Sequence, residues 1–263
     1  MEKRLAVLNA ISVVLAIAVS YISQTGIING NTMGSLSAEY YNLFTPASYA
    51  FAIWGVIFLA LLAFSGYQLY QAFKARKDLE FLQKSGYWFF IANMANVAWV
   101  FAWLNESTGL SVLLMFLILI SLIKVILNTN MERLDAPLKI IAFSWWPICL
   151  YSGWIAVATI ANVSAYLAKI GWNAPFFSEE IWTVIMIIVA GIINIAIIYT
   201  RNMREFAAVG VWALIAIYFR HFDEIPLISY TALITAVIIF SNITYHGWMN
   251  RKTNPMYKLI NKD

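Results

Sequence analysis

The sequence predicts an all-α protein, a polytopic bundle of about eight transmembrane helices. Three observations lead there. Hydrophobic residues make up 62% of the 263 and charged residues only 11%, against about 25% charged in a soluble domain, so the outer solvent of the fold has to be lipid. Eight apolar stretches recur along the chain, most of them near the roughly 20 residues that cross a hydrocarbon core. Helix is the form in which such stretches pair their own backbone groups. Third, lysine and arginine are sorted by gap: the even-numbered gaps and both termini are basic, the odd-numbered gaps nearly bare.

The first span, residues 5–22, has a basic start but no small-x-small cleavage pattern before the polar Ser23–Thr25 stretch. It is therefore expected to stay as a helix and not to be removed as a leader. The second, 48–73, is long enough to tilt. The third to sixth cover 86–104, 109–127, 138–167 and 180–200. The seventh, 205–219, is the shortest. The charges defend it: were it not to cross, the four cations of the tail would change sides. Arg204 and Arg220 can snorkel to make up its length. The eighth covers 227–248.

Lys3, Arg4, Lys74, Arg76, Lys77, Lys84, Lys124, Arg133, Lys139, Arg201, Arg204, Arg251, Lys252, Lys258 and Lys262 share one side of this arrangement, leaving Lys169 and Arg220 on the other. Cations are retained in the cytoplasm, so both termini are expected inside, in a multi-pass protein of the plasma or inner membrane. The acids split nearly evenly. The net charge of +4 then follows from topology and does not indicate nucleic-acid binding. Cys149, the single cysteine, can form no internal disulfide.

Two outer segments are long. Residues 23–47 carry Gly, Asn, Ser and Thr, no cation, and Tyr40, Tyr41, Leu43 and Phe44. They suit either a lid folded over the bundle mouth or a plain surface loop. Residues 170–179 carry Trp172, Phe176 and Phe177, suited to the membrane interface. No internal repeat or low-complexity tract stands out.

Ionisable groups inside a span mark ion or proton routes, and this reading finds almost none. Lys124 snorkels from a helix end. His221 and His246 are far apart, and with no cysteine pair and no buried carboxylate they make no metal site. No cofactor and no catalytic residue is expected. Asn93, Asn96, Asn162, Asn194 and Asn242 stand in spans, each consistent with an interhelical hydrogen bond.

Trp54, Trp99 and Trp154 lie several residues inside their spans, where an indole N–H needs a partner. Phe51, Trp54 and Phe58 share a face of the second helix. Asn96, Trp99 and Trp103 do so on the third, and Tyr151, Trp154, Ala158 and Asn162 on the fifth. Such faces fit a pocket for a flat, apolar, sparsely polar molecule, and fit a tightly packed core equally well.

These residues resemble the TspO/MBR family, the tryptophan-rich sensory or translocator proteins. Its second helix opens with Pro-Pro-x-Trp-x-Phe and then Trp-x-x-x-Tyr; here stand Pro46, Tyr49, Phe51, Trp54 and Phe58. Asn-x-x-Trp of its third helix corresponds to Asn96 and Trp99. Tyr-x-x-Trp-x-x-x-Ala-Thr-x-x-Asn of its fifth corresponds to Tyr151, Trp154, Ala158, Thr159 and Asn162. One proline of the pair is missing, Tyr49 replaces a Trp, the step from Phe51 to Trp54 is one residue short, and Phe58 lacks the Tyr hydroxyl. The proline expected at Leu150 stands at Pro147.

The resemblance covers about residues 1–170, which implies a five-helix TspO-like domain there. Residues 171–263 are left as three additional helices and a basic cytoplasmic tail. It implies a receptor, sensor or carrier for a planar apolar ligand of the porphyrin or other tetrapyrrole kind, held by Tyr49, Phe51, Trp54, Phe58, Asn96, Trp99, Trp103, Tyr151, Trp154, Ala158 and Asn162 under the first loop. A light-dependent porphyrin-degrading enzyme and a small-molecule transporter are the alternatives. The implied partners are the bilayer, the small molecule and a second copy in a homodimer, with no nucleic acid. Val163, Tyr166 and Lys169 also fit the family's proposed cholesterol pattern, which an interfacial helix end explains as well.

Overall fold

A computed structural model describes residues 1–75, 79–133, 135–172 and 176–251. Among them there is no strand. The helices are α1 (Glu2–Ile22), α2 (Met33–Glu39), α3 (Ile53–Tyr70), α4 (Glu80–Ser85), α5 (Trp88–Leu104), α6 (Thr108–Thr129), α7 (Leu138–Ile140), α8 (Trp146–Lys169), α9 (Glu179–Arg201), α10 (Arg204–His221) and α11 (Pro226–Met249). Of the expected topogenic cations, Arg76, Lys77, Lys252, Lys258 and Lys262 lie outside the described residues.

All eight expected spans are helical. Six are long and apolar enough to cross a membrane: Glu2–Ile22, Ser48–Ala75, Thr108–Thr129, Leu138–Lys169, Glu179–Arg201 and Pro226–Met249. The other two, α5 and α10, have 17 and 18 residues. At 1.5 Å per residue they reach about 26 Å, slightly short of a hydrocarbon core of about 30 Å.

Two spans depart from α geometry where proline sets the terms. Ser48–Ala52, just after Pro46, is a 3-10 turn that leads into α3. Ile141–Trp145 is a π turn that leads into α8. Pro147 has no N–H to offer the carbonyl four residues back, and its ring crowds that carbonyl; a widened turn relieves the conflict.

The chain forms two compact units, each discontinuous in sequence. Unit 1 comprises Met1–Thr45, Ile53–Thr129 and Ala158–Asn173, and unit 2 comprises Pro46–Ala52, Asn130–Val157 and Ala174–Asp263.

In unit 1, α1 packs on α3 and α5, and α5 packs on α6. The buried face of α1 is Leu5, Asn9, Val13 and Ala16, spaced by four, four and three residues as one helical stripe requires. Asn9 Nδ2 donates to Gln68 Oε1 of α3 at 2.9 Å, both side chains buried. A bond of this kind between membrane helices is worth about 1 kcal/mol. Near the start of α1, Leu5 and Ala6 close on Ala72 and Leu82. The turn from α5 to α6 is tight: Glu106 N–H donates to Trp103 O at 2.8 Å and Ser107 N–H to Ala102 O at 2.9 Å. Glu106 takes φ +58° to make that turn, a left-handed conformation that costs a non-glycine residue about 1 kcal/mol or more.

In unit 2, α9, α10 and α11 pack on one another, and small residues set their spacing. Lipid tails are as apolar as leucine, so membrane helices associate through close packing, which small side chains permit. A Cβ at Gly210 would stand 2.7 Å from Asn194 Oδ1, and one at Gly191 would stand 2.6 Å from Thr235 Cγ2. At Gly153 of α8 the obstacle is backbone: Phe206 O at 2.8 Å. The stretch Pro46–Ala52 is pinned to α10 by three bonds. Ala47 N–H donates to Ala216 O at 3.1 Å, Trp212 Nε1 to Ala50 O at 3.0 Å, and Arg220 Nη1 to Pro46 O at 3.3 Å.

Candidate functional site

Seven of the eleven residues expected to line a pocket lie in unit 1: Trp54, Phe58, Asn96, Trp99, Trp103, Ala158 and Asn162. The other four, Tyr49, Phe51, Tyr151 and Trp154, lie in unit 2.

On α5, Asn96, Trp99 and Trp103 are buried on one face, as their spacing predicts. The two indoles stack, with centroids 6.2 Å apart and planes 19° apart. Both indole nitrogens are buried and have no hydrogen-bond partner among the described residues. An orphaned buried donor costs about 1–3 kcal/mol, so two of them beside an amide on one helix face ask for an explanation. On α3, Trp54 and Phe58 stack at 5.1 Å and 28°; both are half-buried. Asn162 Oδ1 accepts from Ser111 Oγ of α6 at 3.0 Å. Ala158, one turn earlier on the same helix, is half-buried.

In unit 2, Tyr151 and Trp154 are fully buried. Phe51, which the sequence groups with Trp54 and Phe58, meets the Trp154 ring edge-on at 5.8 Å and 83°. Tyr49 stands edge-on to Trp212 at 5.5 Å. Trp212 was not singled out by sequence reasoning; an indole in the middle of the shortest span was the available signal.

The first loop is a docked lid on unit 1. Leu36 in α2 and Tyr40, Leu43 and Phe44 after it are buried. Thr32 caps α2 reciprocally with Ser35. Asn31 Nδ2 donates to Leu104 O at 3.2 Å, joined by Asn29 Nδ2 at 3.4 Å, which satisfies a carbonyl at the end of α5 that has no intrahelical partner. The Tyr40 ring stands edge-on to Trp103 at 6.1 Å, and its hydroxyl donates to Glu106 Oε2 at 2.7 Å.

Lys169, at the end of α8, completes the latch. Its ammonium donates to Glu106 O at 2.5 Å, lies 3.8 Å from Glu106 Oε2, and sits 5.0 Å from the centre of the Tyr40 ring. The Tyr40 hydroxyl, aided by Lys169 and Asn31, holds the Glu106 carboxyl below its ordinary value. Burial and the Glu106 bond push the Tyr40 phenol up to about 12. The sequence reading took Lys169 as an interfacial helix end and gave Glu106 no role.

Carboxylates are the second departure from that reading, which found none buried. Glu132 Oε1 and Glu205 Oε2 of unit 2 are buried with no hydrogen-bond partner among the described residues. Burial, reinforced by the Glu205 charge, pushes the Glu132 carboxyl up to about 8.

A family model described as TSPO-like protein matches residues 6–245. The chain belongs to the TSPO-like protein family. The match runs past residue 170 to take in α9, α10 and most of α11, the segment that the sequence comparison with the five-helix pattern left without a counterpart. No curated protein and no solved structure matches the chain. With its apolar helices, membership makes the chain an integral membrane protein.

Proposed function

We propose that this TSPO-like protein is a membrane receptor, sensor or carrier for a planar, mostly apolar molecule with a few polar groups, of the tetrapyrrole class. The observation that carries the proposal is the buried face of α5. There Trp99 and Trp103 stack, each with an indole N–H that has no partner among the described residues, on the face that carries Asn96, with the latched ring of Tyr40 edge-on to Trp103. Indole faces stack on flat rings, and the stranded N–H groups and the amide suit the polar edge of such a ligand. Trp54 with Phe58, in the same unit, is a further aromatic surface for it. The sorting of lysine and arginine supports termini in the cytoplasm and the lid outside, by the positive-inside rule.

Protoporphyrin titrated into the purified protein tests this by quenching of tryptophan fluorescence. Saturable quenching is expected, with affinity at least about fivefold lower in Asn96→Ala, since an unsatisfied polar contact costs about 1–3 kcal/mol. Quenching that never saturates, or an affinity unchanged in Asn96→Ala and Trp99→Ala, contradicts it.

A further inference from the structure

One cluster in unit 2 takes no part in that reading. Glu132 lies in the loop after α6, Cys149 on α8, and Glu205 in the first turn of α10. A carboxylate oxygen from each acid and the Cys149 Sγ all lie within 4.8 Å of one another. Cys149 is wholly buried and is in no disulfide. Glu132 Oε1 and Glu205 Oε2 are buried and have no hydrogen-bond partner among the described residues. The Trp146 side chain and a backbone N–H bond Glu205, and the charge of Arg204 acts on both acids. A thiol and two carboxyls that converge on one point from three separate elements offer a cation three ligand atoms once their protons have left. We propose that Glu132, Cys149 and Glu205 bind a thiophilic divalent metal ion of the zinc(II) class.

The chemistry of the donors selects the class. Zinc(II) takes sulfur at about 2.3 Å and carboxylate oxygen at about 2.0–2.2 Å in a tetrahedron. Ligand atoms in that geometry lie about 3.3–3.7 Å apart, so donors already within 4.8 Å need only a small closure. Calcium and magnesium want six or more oxygens, which a thiol and two carboxylates do not supply; the sulfur favours softer ions. Binding displaces to solvent the thiol proton and any proton the carboxyls hold, because metal ligands bind deprotonated. Two carboxylates and a thiolate against a dication leave one negative charge, which Arg204 balances; a neutral total is what a buried ionic group requires. Three protein ligands leave a fourth position for water. The ion ties the Glu132 loop to α8 and α10.

The whole protein in detergent, freed of metal with a chelator, is titrated with cobalt(II) while near-ultraviolet and visible absorption are followed. Since Cys149 is the only cysteine in the chain, a sulfur-to-cobalt charge-transfer band from this protein reports on that side chain alone. The expected result is a band that saturates at one equivalent, disappears in Cys149→Ala and is shifted at least tenfold to higher cobalt in Glu205→Gln and Glu132→Gln. Zinc(II) should bleach it by competition. Absence of the band in the wild-type protein overturns the proposal without reference to any variant. So does stoichiometric binding undiminished in Cys149→Ala, which leaves a carboxylate pair sharing a proton or a hard ion.

Discussion

The two units bury polar groups of different kinds. In unit 1 they are neutral: Asn9, Gln68, Asn93, Asn96, Asn162 and two indole N–H groups. In unit 2 they include ionisable ones: Glu132, Glu205, Arg204 and His246 have buried side-chain atoms without partners among the described residues. A low-dielectric interior holds neutral dipoles at modest cost and charges only when they are compensated. The proposed flat ligand in unit 1 and the proposed metal ion in unit 2 follow that division. They also differ in spacing. Unit 2 is drawn together at glycines that a single Cβ would overfill, while α3 of unit 1 carries Gly66, whose Cβ would meet nothing within 4 Å.

The largest effect should come from breaking the close approach in unit 2. Gly153→Leu drives a side chain against the Phe206 backbone, which cannot swing aside; a loss of about 3 kcal/mol or more is expected, read as unfolding at lower denaturant in mixed micelles. Gly66→Ala is the counterpart and should be neutral or stabilising by under about 1 kcal/mol. Equal losses at both would erase the distinction in packing.

Next comes the interhelical amide of unit 1. Ser111→Ala strips Asn162 Oδ1 of its donor and should cost about 1 kcal/mol, by the same unfolding measurement. No change would mean that Asn162 is satisfied in another way.

Acid should release the lid. The Glu106 carboxyl is held below its ordinary value in the docked state, so its contribution is complete above the ordinary carboxylate pKa, about 4.3, and fades as pH falls through the lower docked value. For Tyr40, raised to about 12, the contribution is complete below about 10 and lost as pH climbs to the docked value. Hydrogen exchange at residues 33–45 should accelerate at both extremes. Tyr40→Phe should remove the alkaline dependence and weaken the acid one, to which Lys169 and Asn31 still contribute, while leaving unit 2 exchange as it was. The smallest effect belongs to Lys169→Met: its exposed ion pair with Glu106 should yield a weaker acceleration than Tyr40→Phe, most visible at low salt.

Apolar run length and the sorting of cations made the helical architecture legible, to within a few residues at each helix end. The helix-face groupings on α5, and that of Tyr151 with Trp154, were legible too, because spacing along one helix fixes them. Contacts across long stretches of sequence were not. Tyr40, Glu106 and Lys169 are separated by 66 and 63 residues, and no periodicity links them. Glu132, Cys149 and Glu205 come from a loop and two helices; read along the chain, both acids served only as counterweights in a charge tally. Phe51 was grouped with Trp54 as though one regular helix ran through both, whereas the chain is a 3-10 turn at Phe51, and its ring meets Trp154.

The central claim is that the α5 indoles are ligand contacts. It is tested most directly by fluorine NMR of protein labelled with 5-fluorotryptophan, its 11 tryptophan signals assigned by single substitution and followed during a protoporphyrin titration. The signals of Trp99 and Trp103 should move together, with one midpoint, before those of Trp172 and Trp248. Signals of Trp99 and Trp103 that stay fixed while the protein is saturated would show a packed core, and the receptor reading would fall.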